Sequence, residues 1–315
     1  VAFAASNVTL YGVIEEGVVV SKAKHKDTMV DLKAGFDSGN RWGIKGVEDL
    51  GNGYSVGFIL EQGFTADNGN AANANYTTSS GFTRESFMYV TGNFGKLGFG
   101  RTGSLSSGAQ SNHILTGWAL GTGLGLSSWT SEIGTSYGRL NNTISYATPS
   151  FSGLTIHAMY SNGIGEDTNK WSENTHYYGI GAKYQANAIK SSLIFEAVDN
   201  KGGEKNLVGN KVHGDKAYTV NFGFEYNLGS FTPMFAYQWA NQDDGKKTHM
   251  FGLSAKVPVA GGDVLAGARY LFGKDEAITT GDDKVRAWNI GAAYIYPLSK
   301  RTAVKAYAGY ADGAK

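Results

Sequence analysis

Apolar and polar residues alternate with a period of two along most of this chain. At 217–226, Tyr218, Val220, Phe222, Phe224 and Tyr226 share one face, and Thr219, Asn221, Gly223 and Glu225 the other. At 54–64, Tyr54, Val56, Phe58 and Leu60 stand against Ser55, Gly57 and Glu61, with Ile59 the exception. At 231–239, Phe231, Phe235, Tyr237 and Trp239 oppose Thr232, Ala236 and Gln238, and Met234 breaks the polar face. Such alternation predicts strands with one apolar face. Weaker versions at 8–20, 40–50, 83–91, 96–101, 138–147, 154–161, 176–184, 189–198, 248–257, 263–272, 285–296 and 302–310 bring the expected total to about fifteen.

The connectors fall into two kinds that take turns. Those at 49–53, 92–95, 149–153, 227–230 and 297–300 are short and rich in Gly, Asn and Pro, as tight turns require. Those at 21–39, 65–82, 102–135, 162–174, 199–215, 241–246 and 273–283 are longer and, apart from 102–135, polar and often charged. Short turns at one end and long loops at the other are the layout of an outer-membrane β-barrel. Closure removes edges along which an open sheet would aggregate. In lipid it also satisfies every backbone polar group. Tyr54, Phe64, Tyr184, Tyr226, Phe231, Trp239, Phe272 and Tyr296 sit near strand ends, where interfacial aromatic girdles form, although aromatics are common in any sheet.

Residues 102–135 stand apart. They hold no Lys or Arg and one acid, Glu132, yet carry Ile114, Trp118, Leu124 and Trp129 among Gly, Ser and Thr. A segment this apolar and uncharged is not a solvated tail. The expectation is a single β-barrel domain over 1–315, with 102–135 folded inward to narrow its bore.

Composition adjusts this picture little. Mean hydropathy is slightly negative, and no run approaches the ~18 apolar residues of a membrane helix. Barrel strands need neither. The net charge of +1 and the scattered Lys and Arg give no case for nucleic acid. Cysteine is absent, so there is no disulfide framework. Ala2-Phe3-Ala4 before Ala5 has the small-x-small form of a signal-peptidase site, so 1–4 is read either as a signal remnant or as an ordinary terminus.

Five stretches occur in order across nearly the whole chain: Val8-Thr9-Leu10-Tyr11-Gly12, Gly43-Ile44-Lys45-Gly46-Val47-Glu48-Asp49-Leu50-Gly51, Gly92-Asn93-Phe94-Gly95-Lys96-Leu97-Gly98-Phe99-Gly100-Arg101, Asn141-Asn142-Thr143-Ile144-Ser145-Tyr146 and Leu298-Ser299-Lys300-Arg301-Thr302. As a set they resemble the Gram-negative general porins, most closely the betaproteobacterial type. The resemblance implies an all-β transmembrane antiparallel barrel of sixteen strands, a third loop folded into the pore, and a homotrimer among outer-membrane lipids and lipopolysaccharide. It also implies passive diffusion of small hydrophilic solutes and ions, with no cofactor. Members usually finish on a strand ending in Phe. This chain ends Ala311-Asp312-Gly313-Ala314-Lys315, so the last strand is expected to be missing from it.

Parity assigns residues to the bore. With Trp42 and Ile44 facing lipid, Arg41 and Lys45 face inward. With Phe87 and Tyr89 facing lipid, Arg84 does too. Arg139 precedes the polar face of Asn141, Thr143 and Ser145, and Glu15 and Glu61 also point inward. The resemblance implies a cluster of wall arginines opposite loop acids, and Arg41, Arg84 and Arg139 match the wall positions. The loop offers at most Glu132. A positive wall facing a nearly uncharged loop raises the local anion concentration, so a modest anion preference is expected; the alternative is charges that cancel across a wide bore. Lys183, Lys190, Arg269 and Lys305 are further candidates for the wet wall. Arg101 faces lipid by parity unless a bend at Gly100 turns it. Trp118 and Trp129 could anchor the loop or form a sugar platform.

No metal-ligand spacing links the six histidines, and no nucleophile motif or P-loop stands out. Two other readings remain open at this point. One is an outer-membrane barrel hydrolase, for which His176 and His249 are the faint candidates. The other is a surface-binding protein with a plugged bore.

Overall fold

A computed structural model describes residues 7–35, 37–71, 81–107, 111–120, 134–164, 170–200, 216–243, 245–276 and 278–314. Residues 1–4 and Glu132, Leu124 and Trp129 lie outside this set. The described residues form seventeen strands: β1 (Asn7–Val13), β2 (Glu16–Lys22), β3 (Thr28–Ala34), β4 (Arg41–Gly51), β5 (Tyr54–Gly63), β6 (Glu85–Gly92), β7 (Gly95–Gly103), β8 (Arg139–Ala147), β9 (Leu154–Asn162), β10 (Thr175–Ala186), β11 (Ile189–Asn200), β12 (Lys216–Tyr226), β13 (Thr232–Gln242), β14 (Lys246–Val259), β15 (Gly262–Asp275), β16 (Lys284–Ser299) and β17 (Thr302–Ala314). Fifteen of them make one antiparallel sheet in the order β1-β4-β5 and then consecutively to β17. The remaining pair, β2 and β3, forms its own ladder.

The expected strand at 8–20 therefore divides. It breaks after Val13, and its second half continues outward as β2, paired with β3 instead of β4. β3 lies inside the segment read from sequence as a polar loop at 21–39. Lys24, His25, Lys26 and Asp27 precede it and form the tip of a hairpin. Glu15 fixes the break: Asp37 N–H and Ser38 N–H donate to its carboxylate at 2.8 Å each, and its own N–H donates to Asn40 Oδ1 at 2.6 Å. At the opposite end the turns are tight. Asn52-Gly53 joins β4 to β5 with φ of 54° and 79°, the left-handed pair that an Asn-Gly hairpin turn supplies.

Alternation gives the sheet two unlike faces, and burial shows which is which. Along β12, Ala217, Thr219, Asn221 and Gly223 are buried, while Tyr218, Val220, Phe222 and Phe224 are only partly so. The polar set is inside. Elsewhere Leu10, Ile180, Leu193, Leu253 and Ile290 are more than half exposed, whereas Glu196, Thr219 and Asn221 are 0% exposed. A water-soluble core would have the reverse arrangement. Outward rings also meet across strands, as with Phe222 and Phe235 at 6.1 Å and Tyr237 and Phe251 at 5.0 Å.

The sheet curls until its two edges face each other. A cleft of about 1270 Å³ is lined on one side by residues of β1 and β2 and on the other by β17. Lys305 of β17 reaches across to Asp37 Oδ2 at 2.6 Å and Glu15 Oε2 at 3.3 Å. Fourteen successive antiparallel pairings leave β1 and β17 running in the same direction.

Candidate functional site

The long connection between β7 and β8 turns into the hollow of the sheet, and its described part, 104–107, 111–120 and 134–138, lies against the inner wall. Leu105, Ile114 and Leu115 join Tyr177, Ile194, Met250 and Leu271 in a buried apolar cluster, and Leu120 meets Leu265 and Ala293. The wall makes room with small residues. A Cβ on Gly181 would meet Ile114 Cδ1 at 2.6 Å, and one on Gly267 would meet the Trp118 ring at 2.8 Å. A Cβ on Gly223 would overlap the Thr116 carbonyl. Trp118 is seated against Gly252 and Gly267, with the Arg269 guanidinium 4.9 Å from its ring centre. It anchors the loop to the wall.

Three wall carboxylates tie the loop down in the same way, each taking a backbone N–H and a hydroxyl. Glu85 accepts from Ser111 N–H at 2.8 Å, Ser111 Oγ–H at 2.7 Å and Thr102 Oγ1–H at 2.8 Å. Glu196 accepts from Ser106 N–H at 3.2 Å and Ser106 Oγ–H at 2.6 Å, with Tyr177 OH at 2.8 Å and Thr219 and Asn221 at 3.3 Å. Glu225 accepts from Gly117 N–H at 3.2 Å and from the Thr116 hydroxyl. Further on, Gln238 exchanges two bonds of 2.7 Å with the Thr135 backbone. The uncharged, hydroxyl-rich composition of the loop is thus the complement of acids on the wall. Sequence reading placed Glu225 on a polar face but gave none of these acids a role. The inward parity of Glu196 and Glu225, set against a loop full of Ser and Thr, was the available signal.

The arginines come together along β4 to β8, the strands that also carry Glu85. Arg84 Nε lies 2.6 Å from Glu61 Oε1, and Arg41 Nε lies 3.8 Å from Glu61 Oε2, to which Tyr11 OH donates at 3.0 Å. Arg139 is close enough to Arg84, Arg101, Glu61 and Glu85 for their charges to act on it. Arg101 joins them because the β7–β8 register shifts between Gly100 and Thr102, with Gly100 at φ 119°. Its guanidinium donates to Thr83 O at 2.8 Å and to Asn141 Oδ1. Lys45 is exposed on the same inner face, its ammonium 5.3 Å from the Tyr11 ring centre.

Several expected placements change. Phe87 and Tyr89 face inward, not toward lipid. Phe87 is 2% exposed, and both rings lie over inner-face glycines, Gly98 and Gly57. Parity therefore puts Glu85 in the bore, and Arg84 reaches it only from the loop just before β6. Glu15 is occupied with the 37–38 backbone and Lys305, at the edge of the sheet and apart from the arginines. Arg269 is buried under Trp118 and donates to Asn289 Oδ1 at 3.0 Å. Lys190 lies 3.8 Å from Glu225.

His176 and His249 lie on the outer face, paired with Tyr160 OH at 3.0 Å and Tyr237 OH at 2.8 Å. Among the described residues no group of three His, Cys, Asp or Glu could hold a metal.

A family profile described as Gram-negative porin matches residues 1–315. Outer membrane porin protein 32 of Delftia acidovorans is 28% identical over 310 residues, 96% of this chain and 83% of the relative. An outer membrane porin protein of Bordetella pertussis is 24% identical over 98% of this chain and 90% of its own length. Among solved structures, an anion-selective porin from Comamonas acidovorans superposes with a TM-score of 0.71 at 27% identity, covering 98% of this chain and 90% of that one.

Proposed function

The chain belongs to the Gram-negative porin family and acts as a non-enzymatic outer-membrane channel for passive diffusion; from that premise we propose that its bore is constricted by 102–135 and prefers anions. Arg41, Arg84, Arg139 and Lys45, with Arg101, form the positive side of the constriction, and Glu61 and Glu85 are the acids beside them. The observation that carries this reading is where the other acids go. Glu85, Glu196 and Glu225 are bound to the loop's N–H and hydroxyl groups, so the dipoles nearest these carboxylates are the loop's own. Four arginines and Lys45 outnumber Glu61 and Glu85, and Glu85 already accepts from Ser111 and Thr102. In a narrow bore of low-dielectric walls that excess concentrates anions. The similar porin of Comamonas acidovorans is anion-selective, which points the same way. Glu132 lies outside the described residues; as the single acid of the loop it would moderate this preference.

Two architectural readings accompany this one. A sixteenth antiparallel strand filling the cleft would close the barrel, because β1 and β17 run the same way and can pair with each other only in parallel. A homotrimer is the expected assembly. Support comes from the β2–β3 hairpin, where Val18, Val20, Val30 and Leu32 form an exposed apolar face.

The test is the zero-current potential of the reconstituted protein across a planar bilayer with a KCl gradient. The expected sign is that of chloride passing faster than potassium. A clear potassium preference overturns the anion reading.

A further inference from the structure

We propose that the inner wall of β4, β5 and β6 carries a subsite for organic anions with an apolar body, such as an aromatic carboxylate. This rests on the channel reading and adds a ligand class to it. In the ladder, Lys45 pairs with Ile59 and Ile59 with Phe87; one row on, Val47 pairs with Gly57 and Gly57 with Tyr89. All lie on the inner face that also holds Glu61. The result is an apolar surface of Val47, Ile59 and Tyr89, with Phe87 buried beneath Lys96 as its floor.

Its exposure is what distinguishes it. On β11, β14 and β15 the inward apolar side chains Ile194, Met250, Leu265 and Leu271 are all buried beneath or beside the loop. Val47, by contrast, is 46% exposed, and Ile59 and Tyr89 beside it are partly exposed. An apolar patch left open in a water-filled passage costs solvation free energy until something covers it.

Charge on the patch selects the occupant. Lys45 is exposed at one end and, among the described residues, makes no ion pair; its ammonium faces the Tyr11 ring. Lys96 sits over Tyr89 at 4.3 Å and Phe87 at 5.6 Å and likewise has no carboxylate partner. Glu61 on this face is taken up by Arg84, Arg41 and Tyr11, and Glu85, whose charge acts on Lys96, by Ser111 and Thr102. A ring laid on Val47, Ile59 and Tyr89 would bury apolar area while its carboxylate met the Lys45 ammonium, next to the arginines that draw anions in.

The test uses the reconstituted protein in planar bilayers. KCl conductance is measured with added benzoate, acetate or benzyl alcohol at equal concentration, for the wild type and for Val47→Thr with Ile59→Thr. The expected result is a saturable benzoate block that acetate and benzyl alcohol do not produce. The double variant should keep its KCl conductance and need roughly fivefold more benzoate for half-block, since methyl-sized apolar contacts are lost. Benzoate behaving like acetate, an equal block by benzyl alcohol, or an unchanged block in the double variant overturns the subsite while leaving the channel standing. Absence of any KCl conductance overturns the channel reading and the subsite together.

Discussion

Glu196 is 0% exposed, and its carboxylate is held entirely by neutral donors: an N–H, three hydroxyls and an amide. Desolvating a carboxylate costs several kcal/mol unless such donors replace the water. Here they do, and two of them belong to the loop. Glu196→Gln keeps the shape but turns an acceptor into a donor facing donors. It should cost about 2–3 kcal/mol, the usual scale for hydrogen bonds to a charge, and loosen the loop. A lower thermal midpoint and noisier single-channel current would show this; a quiet channel of unchanged midpoint would contradict the anchoring role. Arg84→Gln acts on charge instead. It removes the 2.6 Å partner of Glu61 and should shift the zero-current potential toward potassium. His113 adds a pH effect. Burial first and Lys183 second push it down to about 4 from 6.5. The unfolded loop therefore binds the proton more readily than the packed one. The stability linked to His113 is complete above pH 6.5 and is lost as pH falls toward 4. Current fluctuations should rise across that window in the wild type and not in His113→Asn.

Among the elements, the strands were written plainly in the chain and the loop's seat on the wall was not. Period-two patterns located the sheet strands because each has one wet and one greasy face. β3 was hidden by its charged neighbours, and Phe87 and Tyr89 looked lipid-facing because aromatics usually are. The inner-face glycines that accept those rings signal the exception only once the register is known. The same is true of the small-residue track under the loop. Gly181, Gly223, Gly252 and Gly267 come from four different strands, and no local sequence signal connects them. That track is testable. Gly223→Val would drive a side chain into the Thr116 carbonyl and lift the loop off the wall. The expected outcome is a changed conductance with the β-sheet circular-dichroism signal retained. Wild-type conductance would mean that the loop does not define the passage.

For the molecule as a whole, the decisive property is inversion: Thr219, Asn221 and Gln238 are buried while Leu10, Leu193 and Leu253 are exposed. Such a surface is stable only against lipid. Glu85, Glu196 and Glu225, to which sequence reading gave no role, hold the loop against the wall, while Glu61 stays with Arg41 and Arg84. The chain contains no cysteine, so single cysteines report position without interference. The most direct test places them one at a time at Ile44, Lys45, Gly46, Val47, Glu48 and Asp49 of β4 in liposomes and applies a charged, water-soluble thiol reagent. The account predicts rapid labelling at 45, 47 and 49, with loss of conductance, and protection at 44 and 46 within the lipid. Labelling without alternation, or with the opposite phase, would contradict it.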